Sequence, residues 1–383
     1  MNKISHRFTA SLILLFFVSL ALPSYAAIMV PASPKIKARG FLLMDFDSGR
    51  VLTEKKSDQR MEPASLTKML TSYVIANELA NGGISLDEMV TVSKKAWRMQ
   101  GSRMFIEVGK KVSVEDLLKG VIIQSGNDAT VALAEHVAGS EETFADLMNQ
   151  HAAELGMVDS HFVNSTGLPS KNHYTTPGDM AKLARALIKN FPEHYKWYST
   201  KEFKFNKIKQ YNRNKLLWRN KFVDGIKTGH TESAGYCLVA SAKRDGMRLI
   251  SVVLGTRSEE ARSAESQKLL SYGFRFFETH KLYAANKPLT KTHVWKGAVE
   301  NLSLGLNEDL YLTIPKGQYK KLDASMNVTA RVTAPIKKGT SFGTVNVRLG
   351  DKQYATRKLI ALTDIKKGGL IDSLVDEIKL LFE

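Results

Sequence analysis

Residues 62–68 read Glu62-Pro63-Ala64-Ser65-Leu66-Thr67-Lys68, and apolar residues then recur at Met69, Leu70, Tyr73, Val74, Ala76 and Leu79. That spacing predicts a helix over 65–80. Ser65 and Lys68 are three residues apart at its start, so their side chains share one face. A serine hydroxyl is a poor nucleophile until a base takes its proton. Lysine serves as that base when its pKa is depressed, and the positive end of a helix disfavours a neighbouring ammonium. Ser65 also reads as an ordinary helix cap. A capping box would want Glu or Gln at position 68, where this chain has the opposite charge. A lone Ser-x-x-Lys turns up about once in a chain of this size, so the pair needs company.

Ser125-Gly126-Asn127 supplies some, following the apolar run Val121-Ile122-Ile123 at the junction of two helical segments. A hydroxyl and an amide there suit proton relay and the orientation of an acyl group. Ser170-Lys171-Asn172 and Ser325-Met326-Asn327 fit the same pattern, and a helix cap is the plain alternative for Ser125. Lys227-Thr228-Gly229 comes next, just before a hairpin. A strand-edge Lys and Thr suit a carboxylate, and the glycine lets a substrate backbone approach closely; a surface turn is the plain alternative. Taken in this order, the three motifs form the signature of class A β-lactamases and penicillin-binding proteins. Gly126 stands where that pattern has Asp.

Around the motifs, 39–46 and 50–54 flank Asp47-Ser48-Gly49, and 236–242 and 248–254 flank Asp245-Gly246, so both pairs read as β-hairpins. Helical periodicity marks 114–124, 127–138, 142–155, 177–189 and 258–279. Strands at both ends of a helical middle imply an α+β domain whose sheet pairs early strands with late ones. From 290 to 365, short Val/Thr/Ile runs between turns imply a small all-β domain. Residues 370–383 place Leu370, Ile371, Leu374, Val375, Ile378, Leu381 and Phe382 on one stripe, an amphipathic helix too short to span a bilayer. The expected division is a signal peptide at 1–26, a catalytic domain at 27–285, a β-rich domain at 286–365, and a linker with a terminal helix at 366–383.

Over its 383 residues the chain is 43% hydrophobic and 24% charged, which excludes a mostly disordered protein. A single cysteine, Cys237, excludes an internal disulfide framework and any multi-thiolate metal site. The nine histidines show no HExxH spacing. Lys3, His6 and Arg7 precede the apolar run Ala10–Leu22, and Ser24 and Ala26 suit cleavage after Ala26, the layout of a secretory signal peptide; an uncleaved anchor is the alternative. Removing Lys3 and Arg7 takes the net charge from +17 to +15. A basic exported protein suits a lipid surface or an anionic wall polymer, or simply has a soluble basic surface. Nucleic acid is not an expected partner.

Beyond the motifs, QSGNDA (124–129), HFVNSTGL (161–168), DGIKTGHT (224–231), Ala234-Gly235-Tyr236 and KLLSYGFRFFE (268–278) resemble the low-molecular-mass penicillin-binding proteins of the D-alanyl-D-alanine carboxypeptidase type. The resemblance runs from about residue 35 to the C-terminus. It implies a penicillin-recognising transpeptidase-like domain, a small β-domain and a terminal amphipathic anchor. It also implies peptidoglycan stem peptides ending in D-Ala-D-Ala as substrate, covalent binding of β-lactam antibiotics, no cofactor, and a place on the periplasmic face of the inner membrane. By position, Ser65 would be the nucleophile, Lys68 the general base and Ser125 a proton shuttle. Asn127 would hold the acyl-side amide, and Lys227 and Thr228 the terminal carboxylate, with Arg213 beside them. The backbone N–H of Ser65 and one near His230 would form the oxyanion hole. The stretch Trp97–Ser102 is shorter than the loop such proteins usually carry there. A β-lactamase is the near competitor, but no ExxLN stretch follows SGN to supply its water-activating Glu. A non-enzymatic penicillin sensor would be expected to have lost Lys68 or Lys227, and both are present.

Overall fold

The computed structural model describes residues 30–369 and Asp376. The expected signal peptide lies outside the described residues, as does the terminal helix apart from Asp376.

Both expected hairpins form, as Gly40–Asp45 with Val51–Lys55 and as Gly235–Arg244 with Met247–Thr256. The first turn is closed by Asp45, whose Oδ1 accepts from the Ser48 N–H at 2.8 Å and the Ser48 hydroxyl at 2.7 Å. Gly40–Asp45 then pairs with Met247–Thr256, joining an early strand to a late one. The result is a five-stranded antiparallel sheet, with Val51–Lys55 at one edge and Val223–Thr231 at the other. Side-chain alternation along a strand divides the core. Leu42 and Met44 face one apolar cluster, shared with Met69, Leu70 and Leu133, while Phe41 and Leu43 face another, shared with Leu269 and Leu270. The helix Glu259–Phe276 thus covers one face of the sheet, and the helices Thr67–Asn81, Asn127–Ala138, Glu141–Glu154 and Pro177–Asn190 build the other side.

Side-chain caps start three of these helices. Ser140, Thr176 and Ser258 accept the N–H of Thr143, Asp179 and Ala261. The Ser65 helix does not start this way. Ala64–Leu66 is a single 3-10 turn, the α-helix begins only at Thr67, and Ser65 caps nothing. The segment expected as one helix over 114–124 is α-helical at Val114–Lys119 and widens to a π-type turn at Gly120–Gln124. That turn ends with Ser125 in the left-handed region, φ 66°, and with the Gly126 N–H donating to the Gly120 carbonyl. The helix expected to reach 279 stops at Phe276. Phe277–Tyr283 is instead a strand that pairs with Leu310–Pro315, where its aromatic and β-branched residues suit a pleated surface better than another helical turn.

The later part of the chain forms a second five-stranded antiparallel sheet, with its own core of Leu302, Leu304, Ile314, Val345, Val347 and Leu359. A polar lock joins the two parts. Asp45 Oδ2 accepts from the Thr279 hydroxyl at 2.7 Å, Ser48 Oγ lies 2.6 Å from Thr313 Oγ1, and the Arg50 guanidinium sits over the Tyr354 ring at 4.7 Å. The Gly368 N–H donates to the Lys296 carbonyl at 2.9 Å, and Asp376 Oδ2 accepts from the Lys296 N–H at 2.6 Å. Among the described residues no helix is long and apolar enough to cross a membrane.

Candidate active site

The 3-10 turn carrying Ser65 is squeezed between two glycines. A Cβ on Gly229 would come within 2.9 Å of the Pro63 carbonyl oxygen, and one on Gly167 within 1.9 Å of the Ala64 carbonyl oxygen. Gly167 also has φ +83°, which L side chains rarely adopt. Gly229 therefore lets Val223–Thr231 close on the Ser65 turn, a close approach by the chain itself. Ala64 itself sits at φ 47°, a conformation costly for a non-glycine residue and here held from both sides.

Lys68 is fully buried under this turn. Its Nζ lies 2.7 Å from Asn127 Oδ1, 2.6 Å from the Thr166 carbonyl oxygen and 3.2 Å from Ser65 Oγ. Burial drives its pKa down to about 7, against a smaller opposing pull from Glu141 and Asp128. The hydrogen count then fixes the roles. A neutral amine has two hydrogens, and the two carbonyl oxygens, which can only accept, take both. Its lone pair is left facing Ser65 Oγ.

Several residues hold this arrangement that the sequence motifs do not name. Asn164 Oδ1 accepts from the N–H groups of Thr166 and Gly167 and so shapes the turn that presents the Thr166 carbonyl. Glu141 accepts from the Ser165 hydroxyl at 2.7 Å and braces the same turn. His173 accepts the Val163 N–H at Nδ1, which leaves its Nε2–H to donate to Thr67 Oγ1 at 2.8 Å. Burial pushes its pKa down to about 4, so it is neutral. Asp128 accepts from the N–H groups of Met104, Phe105 and Ile106 and pins that segment beside the site. Asp128 also explains Gly126: a Cβ there would lie 2.9 Å from Asp128 Oδ1 and 3.1 Å from the Met104 nitrogen.

A cleft of about 370 Å³ opens over these groups, lined by Ser65, Ser125, Thr228, His230, Arg213 and Arg262 among others. Ser125 is buried, and its Oγ has no hydrogen-bond partner within the protein. Asn127 and Lys227 are buried next to the lining residues Ser125 and Thr228. Asn127 is engaged at both ends, with Oδ1 at Lys68 and Nδ2 donating to the Gln100 carbonyl at 2.6 Å. Lys227 Nζ reaches the Thr228 carbonyl at 3.3 Å. Its pKa is held well below the usual lysine range by burial, then by the charges of Lys68, Arg213 and Arg262. His230 stacks on Tyr236 at 3.9 Å between ring centroids. Arg262 went unnoticed in the sequence. Its guanidinium is tied to Glu259 at 2.8 Å and donates to the Gly229 carbonyl at 3.3 Å. The available signal was an arginine on the buried face of a helix, in line with Ser266 and Leu269. All six expected site residues converge here. Among the described residues no cluster of His, Cys, Asp and Glu could hold a metal ion.

A buried lysine with its pKa lowered to about 7, 3.2 Å from a serine hydroxyl and beside a cleft lined by two arginines, is a pairing suited to acyl transfer. The family comparison decides whose. Residues 27–258 match the model of the D-alanyl-D-alanine carboxypeptidase family. The chain belongs to that family. Residues 277–367 match the C-terminal domain of penicillin-binding protein 5. The D-alanyl-D-alanine carboxypeptidase DacC of Escherichia coli is 45% identical over 96% of this chain and 94% of its own length. The crystal structure of penicillin-binding protein 5 from Haemophilus influenzae superposes with a TM-score of 0.85 at 43% identity, covering 88% of this chain and all of that one. The ampicillin-bound form of penicillin-binding protein D2 from Listeria monocytogenes gives 0.59 at 30% identity, over 64% of this chain and all of that one. The expected penicillin-recognising transpeptidase-like fold with a following all-β domain is thus the family's own.

Proposed function

We propose that this serine D-alanyl-D-alanine carboxypeptidase works through a Ser65 acyl-enzyme. The observation that carries the reading is the buried Lys68 Nζ, its pKa lowered to about 7, lying 3.2 Å from Ser65 Oγ. Lys68 takes the hydroxyl proton as Oγ attacks the carbonyl carbon of the penultimate D-Ala. The oxyanion is met by the Ser65 N–H and a backbone N–H near His230. Ser125, with a free hydroxyl in the cleft, passes the proton to the departing amine. The C–N bond breaks, D-Ala leaves, and water hydrolyses the ester. Lys227, Thr228 and Arg213 hold the terminal carboxylate, and Asn127 keeps Lys68 in place while its amide borders the acyl side. A β-lactam presents the same carbonyl and carboxylate and acylates the same serine. Labelled penicillin is expected to map to the peptide containing Ser65, and diacetyl-Lys-D-Ala-D-Ala to lose one D-Ala. An adduct elsewhere, or none, overturns the assignment.

The same reading extends to place. Residues 1–26 act as an export signal, the mature domains are 27–285 and 286–365, and 366–383 holds the enzyme peripherally on the outer face of the cytoplasmic membrane. The apolar stripe of 370–383 supports this, although its acidic polar face weakens attraction to anionic lipid. Deleting 368–383 is expected to move the enzyme from the membrane fraction to the soluble fraction. A truncated protein that stays membrane-bound, or a full-length one already soluble, rejects the tail as anchor.

A further inference from the structure

A second groove, of about 340 Å³, continues the cleft and shares Arg213 and Glu259 with it. It is lined by the end of a hairpin, Glu202–Phe205 with Ile208–Tyr211, and by Phe105. Phe105, Ile208 and Tyr211 are 46%, 41% and 54% exposed, with the Arg103 guanidinium over the Phe105 ring and Lys209 Nζ over the Tyr211 ring, each 5.4 Å from the ring centre. Phe105 is held there. Its N–H donates to Asp128 Oδ2 at 2.8 Å, and its backbone takes φ 69°, which a bulky residue adopts at a cost. The Gln210 amide donates to the Met104 carbonyl at 3.0 Å, stitching the hairpin to the segment that carries Phe105. The flanking cations are already paired, Lys209 with Glu202 at 2.7 Å and Lys215 with Glu259 at 2.9 Å. Gln124, Gln210, Asn212 and Arg213 complete the lining, so the groove is an apolar patch within a polar rim.

We propose that this groove is a leaving-side subsite that takes the side chain of the substrate's C-terminal D-residue when that side chain is a linear aliphatic chain longer than methyl. The inference rests on the proposed placing of the terminal carboxylate at Lys227, Thr228 and Arg213. With the carboxylate at Arg213, the groove begins where the terminal residue sits. A chain of three or four methylenes offers Phe105, Ile208 and Tyr211 more apolar area to cover than a D-Ala methyl does. The chemistry is unchanged: the Ser65 Oγ–carbonyl bond forms, the C–N bond to the terminal residue breaks, and the serine proton goes to the departing α-amine.

The test compares diacetyl-Lys-D-Ala-D-Ala with diacetyl-Lys-D-Ala-D-norleucine on the full protein and on Tyr211→Ala and Ile208→Ala. Apolar pockets reward added methylenes, so kcat/KM for the norleucine peptide is expected to be roughly fivefold the higher in the unmodified enzyme. In each variant that ratio is expected to fall toward one. Using the ratio cancels any general loss of folded enzyme. A norleucine peptide cut no faster than the D-Ala peptide overturns the subsite, as does a ratio unchanged in both variants. Failure to cut either peptide overturns the carboxypeptidase reading, and the subsite with it.

Discussion

Lys68→Ala is expected to slow acylation of Ser65 by about 10³-fold or more, since an unassisted serine is a poor nucleophile and a positioned general base contributes on the order of 10²–10⁴-fold. The burden of a buried amine disappears with the side chain, so circular dichroism should still report a folded protein. The unmodified enzyme adds a pH signature. Lys68 titrates near 7, and only its neutral form can accept the proton. Below pH 7 the ammonium has no lone pair and acylation falls; above it the rate levels off. Lys68→Ala is expected to lose that acid limb together with the rate. Near-normal penicillin acylation in the variant, or a flat profile from pH 5 to 9 in the unmodified enzyme, rejects Lys68 as the base.

Lys227→Ala is expected to cost about 10²-fold in kcat/KM on peptides with a free terminal carboxylate, the usual scale for losing one partner of a buried charged pair. In the free enzyme Lys227 is crowded by Lys68, Arg213 and Arg262, and its pKa is pushed down. An arriving carboxylate reverses that crowding and draws the proton back on. The control is the same peptide amidated at its C-terminus. The unmodified enzyme is expected to discriminate sharply between acid and amide, and the variant hardly at all. Unchanged kcat/KM on the acid counts against a carboxylate clamp at Lys227.

The parts of the fold governed by local rules were legible from the sequence: the hairpins around Asp47-Ser48-Gly49 and Asp245-Gly246, and the helices begun by Ser140, Thr176 and Ser258. The hairpin at 202–211 was not. Its turn uses Asn206 and Lys207 at φ 44° and 63° without a glycine to announce it. In the site, the motif residues converge because three short stretches carry all six. Their supports come from elsewhere in the chain. The Thr166 carbonyl is a backbone group with no sequence signature, and Asp128 and Arg262 matter only once loop and strand fold against them. Gly229 was legible as a close approach, but not as an approach by the chain's own Pro63–Leu66 turn. The start of the Ser65 helix was misjudged for the same reason, because its geometry is imposed from outside by Gly167 and Gly229.

The polar lock at Asp45 has a mechanical consequence. It grips the catalytic sheet through Gly40–Asp45 and the turn that follows, whereas Lys227 rides on the opposite edge, with two full strands between. Tension applied through the C-terminal end of the molecule enters the sheet on its far side. It meets continuous antiparallel ladders across Met247–Thr256 and Gly235–Arg244 before it reaches the strand that carries the clamp. Strain entering at the lock is thereby shared among three strand ladders before it reaches Lys227.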